Sequence, residues 1–302
     1  MTRRPFSDPV PGTAAGTDCC PRQKAKTLVR DDPTDAPDPQ SFDHLAERYD
    51  RFAELVGAEL RAWLDTVLPD PPGDPFAAAG FLGLDAGCGT GVHTGLLADR
   101  CASVLAVDLS ARMIDYARRR RNRANVEYEV RDLRGLTPRG DGQYDIVLCA
   151  YTLHHLGELV AALRHLRSLV TPGGTLLLVD VVDDRGTVPR RWFRAEAWRT
   201  FRADLTGRRR PVREAVELLR LNLDPDWLGH QTNDRLFPPA LWESTAREVF
   251  TGATITGLYR ARALAWRAPI PLTGLIPPAG HPGRPTGART GEGTEEQTGV
   301  SA

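Results

Sequence analysis

The chain has 302 residues, of which 41% are hydrophobic and 26% are charged, enough for one large α/β domain with a sizeable core. Its 39 basic and 39 acidic side chains give a formal net charge of zero, which argues against a dedicated nucleic-acid binder. No apolar run approaches the roughly 18 residues of a membrane span. The N-terminal residues lack the apolar core of a secretory signal, so we expect a cytoplasmic protein without a membrane partner.

Both ends of the chain are rich in proline and glycine and show no apolar periodicity. We predict that residues 1–40 and 271–302 are disordered tails around one domain of residues 41–270. Apolar side chains recur at helical spacing over 41–68, which predicts an amphipathic helix at the start of this domain.

Strand and helix patterns then alternate. Strands are predicted at 81–86, 103–108, 125–130, 144–150 and 174–182, and helices at about 91–100, 110–121 and 157–170. Pro172-Gly173-Gly174 is expected to close the last of these helices and to open the fifth strand. Apolar strands that alternate with helices indicate a parallel sheet covered on both faces.

The alternation ends at residue 183, and we predict a helical insertion over 183–235. Two helical patterns occupy 190–232, and four of the six tryptophans lie in or just after this segment. Because the segment leaves the fifth strand at its carboxyl end, where ligands bind in such sheets, we expect it to cover the ligand. A helix at about 238–250 follows. The strands at 253–259 and 261–267 are so close that they must pair antiparallel.

A glycine-rich loop, LDAGCGTG at 84–91, follows the first strand and opens a helix. Glycines let the chain turn sharply, and a helix start offers unpaired N–H groups to an anion. The NAD fingerprint would need glycine where Val92 stands, and the GK[ST] triplet of a Walker loop is missing here. The pattern is acidic-x-Gly-x-Gly-x-Gly, in which the carboxylate of Asp85 suits a ligand that carries an ammonium group.

Two more aspartates end strands. Asp108 ends the second strand, where a carboxylate can accept both hydroxyls of a ribose. Asp132 ends the third, where a carboxylate or a backbone amide can meet the amine of adenine. Each aspartate could instead cap the helix that follows it. Three acidic residues at three successive strand ends are hard to explain by capping alone.

These motifs resemble those of the class I S-adenosylmethionine-dependent methyltransferases, in particular the small-molecule enzymes related to the ubiquinone and menaquinone methylases. LDAGCGTG resembles the cofactor loop, AVDLS and VRDL the next two strand ends, and YDIVLCAYTLHHL and LVTPGGTLLLVD the fourth and fifth strands. The resemblance covers about residues 41–268. It implies a Rossmann-like, doubly wound sheet of seven strands with the last antiparallel. It also implies S-adenosylmethionine as cofactor and methyl transfer to oxygen, nitrogen or carbon of a small, partly apolar molecule.

The resemblance and the loop pattern together assign the cofactor site. Gly87 and Gly89 would hold the methionine carboxylate, Asp108 the ribose, and the carbonyl of Ala150 the methionine ammonium. The complete cofactor set is Asp85, Gly87, Gly89, Gly91, Asp108, Leu109, Met113, Asp132, Leu133 and Ala150. The helix at 41–68 would lie across the pocket as a lid, and Tyr49, Tyr151 and Trp227 would contact the acceptor.

Methyl transfer to a neutral hydroxyl needs a base, and two histidines are candidates. His155 lies in the loop after the fourth strand and His230 near the end of the insertion. Adjacent residues point apart, so we expect only one of His154 and His155 to face the pocket. Either candidate could instead tie its loop to the backbone. Ala150-Tyr151-Thr152-Leu153 replaces the [DNS]PP[YF] motif of DNA and glutamine N-methylases, which argues against those classes.

Two other functions remain open, an NAD-binding dehydrogenase and an S-adenosylmethionine-binding protein without catalysis. Turnover of a methyl acceptor would separate them. The five cysteines show neither zinc-finger nor iron–sulfur spacing, and no acidic triad for a magnesium site is evident. We therefore expect reduced thiols and no bound metal. The acceptor and the oligomeric state cannot be derived from the sequence.

Overall fold

The computed structural model describes residues 45–70 and 80–271. The predicted tails, 1–40 and 271–302, lie outside the described residues except for residue 271. The predicted helix at 41–68 is two helices, α1 (Ala46–Val56) and α2 (Ala58–Val67). Gly57 separates them, and a Cβ there would lie 2.5 Å from the carbonyl oxygen of Ala53. Glycine therefore permits a turn that the apolar spacing alone does not reveal.

Seven strands form one sheet in the order β3-β2-β1-β4-β5-β7-β6. They are β1 (Phe81–Ala86), β2 (Cys101–Asp108), β3 (Val126–Val130), β4 (Tyr144–Ala150), β5 (Val170–Val181), β6 (Thr254–Leu258) and β7 (Ala261–Arg267). Strands β1 to β5 are parallel, and β7 is antiparallel to both β5 and β6. The predicted Rossmann-like sheet of seven strands with an antiparallel last strand is confirmed, as is the antiparallel pair at its end.

The fifth strand begins earlier than predicted. Pro172-Gly173-Gly174 lies inside β5, because pairing with β4 starts at Val170 opposite Tyr144 and then shifts register before Thr175. The proline and glycines therefore mark an irregularity within the strand and not its start.

The helices between the strands are α3 (Thr94–Ala98), α4 (Ala111–Arg120) and α5 (Leu159–Ser168). The segment predicted as a helical insertion holds three helices where two were predicted, α6 (Arg190–Gly207), α7 (Val212–Leu223) and α8 (Pro225–Asn233). The Asp224 side chain accepts hydrogen bonds from the N–H groups of Asp226 and Trp227, and Pro225 follows it, so a new helix begins there. Helix α9 (Pro239–Val249) leads into β6.

Both faces of the sheet are covered by helices. Helices α5 and α9 cover one face through buried side chains such as Leu163 and Trp242. Helices α2 and α3 cover the other through Leu64 and Leu97. Among the helices that the structure describes, none combines the length and the apolar character needed to cross a membrane.

Candidate active site

One pocket, with a volume of about 320 Å³, lies at the carboxyl edge of the sheet beside the loops that follow the strands. One side is formed by residues that follow β1, β2, β3 and β4, and we call it the strand-edge wall. The other side is formed by α1, α8 and Asp234 just beyond α8, and we call it the helical cover. This is the edge where ligands bind in open α/β sheets, as predicted for this chain.

The glycine loop is held against the neighbouring strand. Gly87 and Gly89 have φ values of +78° and +53°, a region that favours glycine. A Cβ at Gly87 would lie 2.3 Å from Thr152 Oγ1. The N–H groups of Gly87 and Cys88 both donate to the carbonyl of Val107, at 2.9 Å each. The loop therefore needs glycine both for its turn and for the close approach of the chain after β4.

Asp108 lies at the centre of the strand-edge wall. Its Oδ2 accepts the N–H of Gly89 at 2.8 Å and its Oδ1 accepts the N–H of Ser110 at 2.9 Å. Burial raises the pKa of this carboxyl, although the backbone hydrogen bonds oppose the shift. A carboxylate has about four lone-pair sites, so further acceptor capacity remains for a ligand in the pocket.

Three residues of the predicted cofactor set are not on the pocket wall. Asp85 is buried behind the loop and accepts a hydrogen bond from Thr94 Oγ1 at 2.6 Å, and burial raises its pKa to about 7. Gly91 packs on Tyr128, whose Oη would lie 2.8 Å from an added Cβ. Ala150 ends β4 just before the wall begins at Tyr151. Asp85 thus supports the loop from behind, and its contact with an ammonium group stays a prediction.

The remaining predicted cofactor residues do line the pocket, namely Gly87, Gly89, Asp108, Leu109, Met113, Asp132 and Leu133. Asp132 also forms an ion pair with Arg134 at 2.7 Å and accepts the Arg134 backbone N–H. The Arg134 guanidinium lowers the pKa of this carboxyl. Asp132 therefore caps the short 3-10 helix that follows it while it borders the pocket.

The helical cover brings together aromatic side chains that are far apart in the sequence. The ring of Trp227 on α8 lies 4.7 Å from that of Phe52 and 6.2 Å from that of Tyr49, both on α1. Arg48 links the helices through ion pairs to Asp224 at 3.2 Å and to Asp226 at 2.9 Å. The predicted acceptor contacts Tyr49, Tyr151 and Trp227 all line the pocket.

Both histidines after β4 line the pocket, and the expectation that only one would do so is wrong. His154 and His155 belong to a 3-10 helix, Leu153–His155, in which neighbouring side chains do not point to opposite sides as in a strand. Their ring centroids are 4.0 Å apart, and those of His155 and His230 are 6.3 Å apart. The two candidate bases, His155 and His230, thus lie in one cluster in the structure.

Burial and its two histidine neighbours lower the pKa of His155 to about 2, so its ring is neutral at physiological pH. For His154, burial alone would lower the pKa, but Asp180 raises it. His154 Nδ1 lies 2.6 Å from Asp180 Oδ1, and Asp180 is fully buried. The pKa values of the two adjacent histidines thus shift in opposite directions, because Asp180 raises that of His154 whereas burial lowers that of His155.

The sequence-based assignment missed several residues that line the pocket. His93 lines the pocket, and burial lowers its pKa to about 4. His154, Gln231 and Asp234 also line the pocket. The sequence did offer a signal for His93, because it lies two residues beyond Gly91 and residues next to a ligand-binding loop lie close to the ligand. Nothing in the sequence linked Asp234 to the histidines.

Comparisons with known proteins agree with this architecture. Residues 84–174 match a family described as a methyltransferase domain. An uncharacterized methyltransferase of Mycobacterium bovis is 31% identical over 188 residues, which cover 62% of this chain and 87% of that protein. The ubiquinone biosynthesis O-methyltransferase of Xanthomonas campestris is 31% identical over 159 residues, or 47% of this chain and 64% of that enzyme. The chain thus spans slightly less than two thirds of the length of that enzyme.

Among solved structures, a similar fold occurs in the complex between the Haloferax volcanii Trm112 methyltransferase activator and a methyltransferase. The match has a TM-score of 0.51 and 14% identity, and it covers 76% of this chain and 97% of that chain. At this level of identity the similarity concerns the fold.

Proposed function

The chain belongs to the class I S-adenosylmethionine-dependent methyltransferases, and from this premise we propose that it methylates a small, partly apolar molecule. The observation that carries the proposal is that one pocket joins the glycine loop and Asp108 to a cluster of histidines and aromatic side chains. Cofactor-binding and acceptor-binding groups thus border the same space, as transfer between two bound molecules requires.

The strand-edge wall fits the cofactor. Gly89 has no Cβ, and one added there would lie 3.2 Å from the ring of Tyr49, so glycine keeps the space between loop and cover open. Gly87 and Gly89 would hold the methionine end and Asp108 the ribose, while Leu109 and Met113 would pack on adenine. When bound, S-adenosylmethionine supplies an electrophilic methyl group on its sulfonium.

The chain's own residues must align the acceptor, exclude water and take up a proton where the nucleophile is a neutral hydroxyl. We assign the proton to His230, whose ring centroid lies 5.6 Å from that of Trp227. A histidine with a pKa of about 2, as in His155, is too weak a base for this step.

The helical cover indicates the character of the acceptor. Phe52 and Trp227 offer an apolar surface, which suits an aromatic or other flat apolar group. Within the described residues, the buried atoms Trp227 Nε1 and Gln231 Oε1 have no hydrogen-bond partner. Buried polar groups are normally paired. We therefore propose that the methylated molecule carries a hydrogen-bond acceptor for Trp227 Nε1–H and a hydrogen-bond donor for Gln231 Oε1. Helices α1 and α8 act as its lid; the rest of the predicted insertion, α6 and α7, contributes no residue to the pocket wall.

We also propose a cytoplasmic location. Cys88, Cys101 and Cys149 are free thiols in the structure, which suits a reducing compartment.

Two measurements test this function. S-adenosylhomocysteine is expected to bind at micromolar level in calorimetry, whereas NAD is expected not to bind. Transfer is then tested with labelled S-adenosylmethionine and a panel of phenols, carboxylic acids and amines, and products are identified by mass spectrometry. His230→Gln should abolish transfer to phenols without weakening cofactor binding. Cofactor binding without transfer to any acceptor would favour the non-catalytic alternative.

A further inference from the structure

Two histidines and a carboxylate meet at the acceptor end of the pocket. His154, His155 and Asp234 each offer one ligand atom, and these atoms lie within 4.8 Å of one another. The histidines belong to the strand-edge wall, whereas Asp234 follows α8 in the helical cover. The cluster therefore joins the two sides of the pocket.

One of these histidines is held by a second carboxylate. Asp180, on β5, contacts His154 Nδ1 at 2.6 Å, so a neutral His154 carries its proton on Nδ1 and presents the lone pair of Nε2. Histidines that bind metal ions usually donate their other ring N–H to a carboxylate or carbonyl in this way. Asp180 thus fixes the ring and the tautomer that a metal ion requires.

Two carboxylates, Asp180 and Asp234, share one histidine, His154, as their charged partner among the described residues. Asp180 Oδ2 is buried without a hydrogen-bond partner among the described residues. Throughout 45–70 and 80–271, no arginine or lysine forms an ion pair with Asp180 or Asp234. Buried charges in proteins are normally paired or bound to metals, so two carboxylates with only histidine beside them point to a cation.

We propose that His154, His155 and Asp234 bind a divalent first-row transition metal ion, with Asp180 as a positioning residue for His154. Two histidines and one carboxylate are a common ligand set for Zn²⁺ and Fe²⁺, and they leave coordination positions open. Ligand atoms at about 2.1 Å from an ion are at most roughly 4.2 Å apart, so binding draws the three side chains together. Asp234 can move toward the histidines, since no described residue donates a hydrogen bond to it.

His154, His155 and Asp234 all line the pocket, so an ion held by them could also bind an oxygen of the acceptor. A metal ion stabilises an ionised oxygen, so the ion would favour loss of the acceptor's proton to His230. This role depends on the proposed methyl transfer, but metal binding itself does not. The ligand set favours acceptors with an ionisable hydroxyl.

The experiment measures binding of Zn²⁺ and Co²⁺ to the full chain after treatment with a chelator, without cofactor or acceptor. We expect one equivalent of Zn²⁺ in calorimetry and a visible Co²⁺ spectrum of low coordination number. Mg²⁺, which prefers six oxygen ligands, should not bind at the same concentration. Asp234→Asn and His154→Ala should each weaken Zn²⁺ binding at least about tenfold, and Asp180→Asn roughly 10- to 100-fold.

Matched controls locate the site. Asp226→Asn removes an exposed carboxylate of α8, and His165→Gln removes a histidine that contacts the Leu133 carbonyl, so neither should change Zn²⁺ affinity. Binding of S-adenosylhomocysteine to each variant reports whether its fold is intact. If His154→Ala does not fold, the Zn²⁺ affinity of Asp234→Asn still tests the proposed metal site. The proposal is overturned if Zn²⁺ does not bind. It is also overturned if Zn²⁺ binding survives Asp234→Asn and disappears in the double variant Cys19→Ser/Cys20→Ser, because the ion would then bind to the cysteine pair. The metal-binding experiment uses no cofactor, so its outcome is distinguishable from a failure of S-adenosylhomocysteine to bind.

Discussion

The strand-edge wall and the helical cover border the same pocket but are built from different interactions. The wall depends on backbone groups and short connections, such as the N–H of Gly89 bound to Asp108. The cover depends on side chains joined over long sequence separations, such as Arg51 and Glu217, which are 166 residues apart. A local motif can therefore specify the wall, whereas the cover exists only once the whole domain has folded.

The largest expected effect is on the wall. Gly87→Ala combines a φ of +78° with a Cβ 2.3 Å from Thr152 Oγ1, so the loop must move. We expect a loss of about 2 kcal/mol or more in unfolding free energy and no measurable S-adenosylhomocysteine binding. Thermal melts and calorimetry measure both. Gly142→Ala is the matched control, because Gly142 has a φ of +84° but nothing within 4 Å of the added Cβ. Equal effects of the two variants would show that backbone strain alone acts at Gly87.

The next effect concerns the carboxylate of the wall. Asp108→Ala removes a charged acceptor from the pocket, together with one hydrogen bond from the glycine loop and one from the N–H of Ser110. A charge-assisted hydrogen bond contributes about 1.5–3 kcal/mol, so S-adenosylhomocysteine affinity should fall roughly ten- to hundredfold. Asp108→Asn, which keeps one oxygen acceptor, should lose less. Unchanged affinity in calorimetry would remove Asp108 from the cofactor site.

A change in the cover should separate turnover from cofactor binding. Trp227→Phe keeps an aromatic ring beside Phe52 but removes the buried Nε1–H. The group of the methyl acceptor that would pair with Nε1–H is then buried without a partner, which costs about 1–3 kcal/mol. The value of kcat/KM for the methyl acceptor should therefore fall roughly tenfold. S-adenosylhomocysteine affinity should stay within about threefold, below 1 kcal/mol. Trp198→Phe, at an exposed position of α6, should change neither quantity. A parallel loss of cofactor affinity would mean that the two sides of the pocket are not independent.

The smallest effect is expected at the link between α1 and α7. Arg51 forms two hydrogen bonds of 2.8 Å with Glu217, and both side chains are more than a third exposed. Exposed ion pairs contribute about 0–1 kcal/mol and are screened by salt. Arg51→Gln should therefore lower the unfolding free energy by less than about 1 kcal/mol, with a smaller difference at high salt. A large loss in denaturant unfolding would show that this link holds the cover in place.

The same contrast explains what the sequence predicted. The strands and the pocket-lining positions from Gly87 to Leu133 were found because periodicity and glycine spacing act within a few residues. The break at Gly57 and the start of α8 at Pro225 were missed, since each depends on a single turn residue inside a continuing apolar pattern. The sequence also did not reveal that Asp85 is buried behind the loop, where its carboxylate accepts a hydrogen bond from Thr94 Oγ1.

The cluster of His154 with Asp180 and Asp234 could not be predicted for a different reason. These residues lie on β4's loop, on β5 and after α8, and only the folded sheet with its cover brings them together. Hydrophobic patterns record which face of an element is buried, but they do not record which buried polar groups meet.

The ion pair between Arg51 and Glu217 also has a consequence for how the protein is made. Ribosomes add roughly 5–20 residues per second, so the 166 residues between these partners take about 8–33 s to synthesise. During that time α1 has left the ribosome without α7 and α8, and the rings of Tyr49 and Phe52 have no Trp227 to pack against. The nascent chain is therefore expected to expose an aromatic helix face while β1 to β5 are translated, a surface to which a chaperone can bind until α8 emerges.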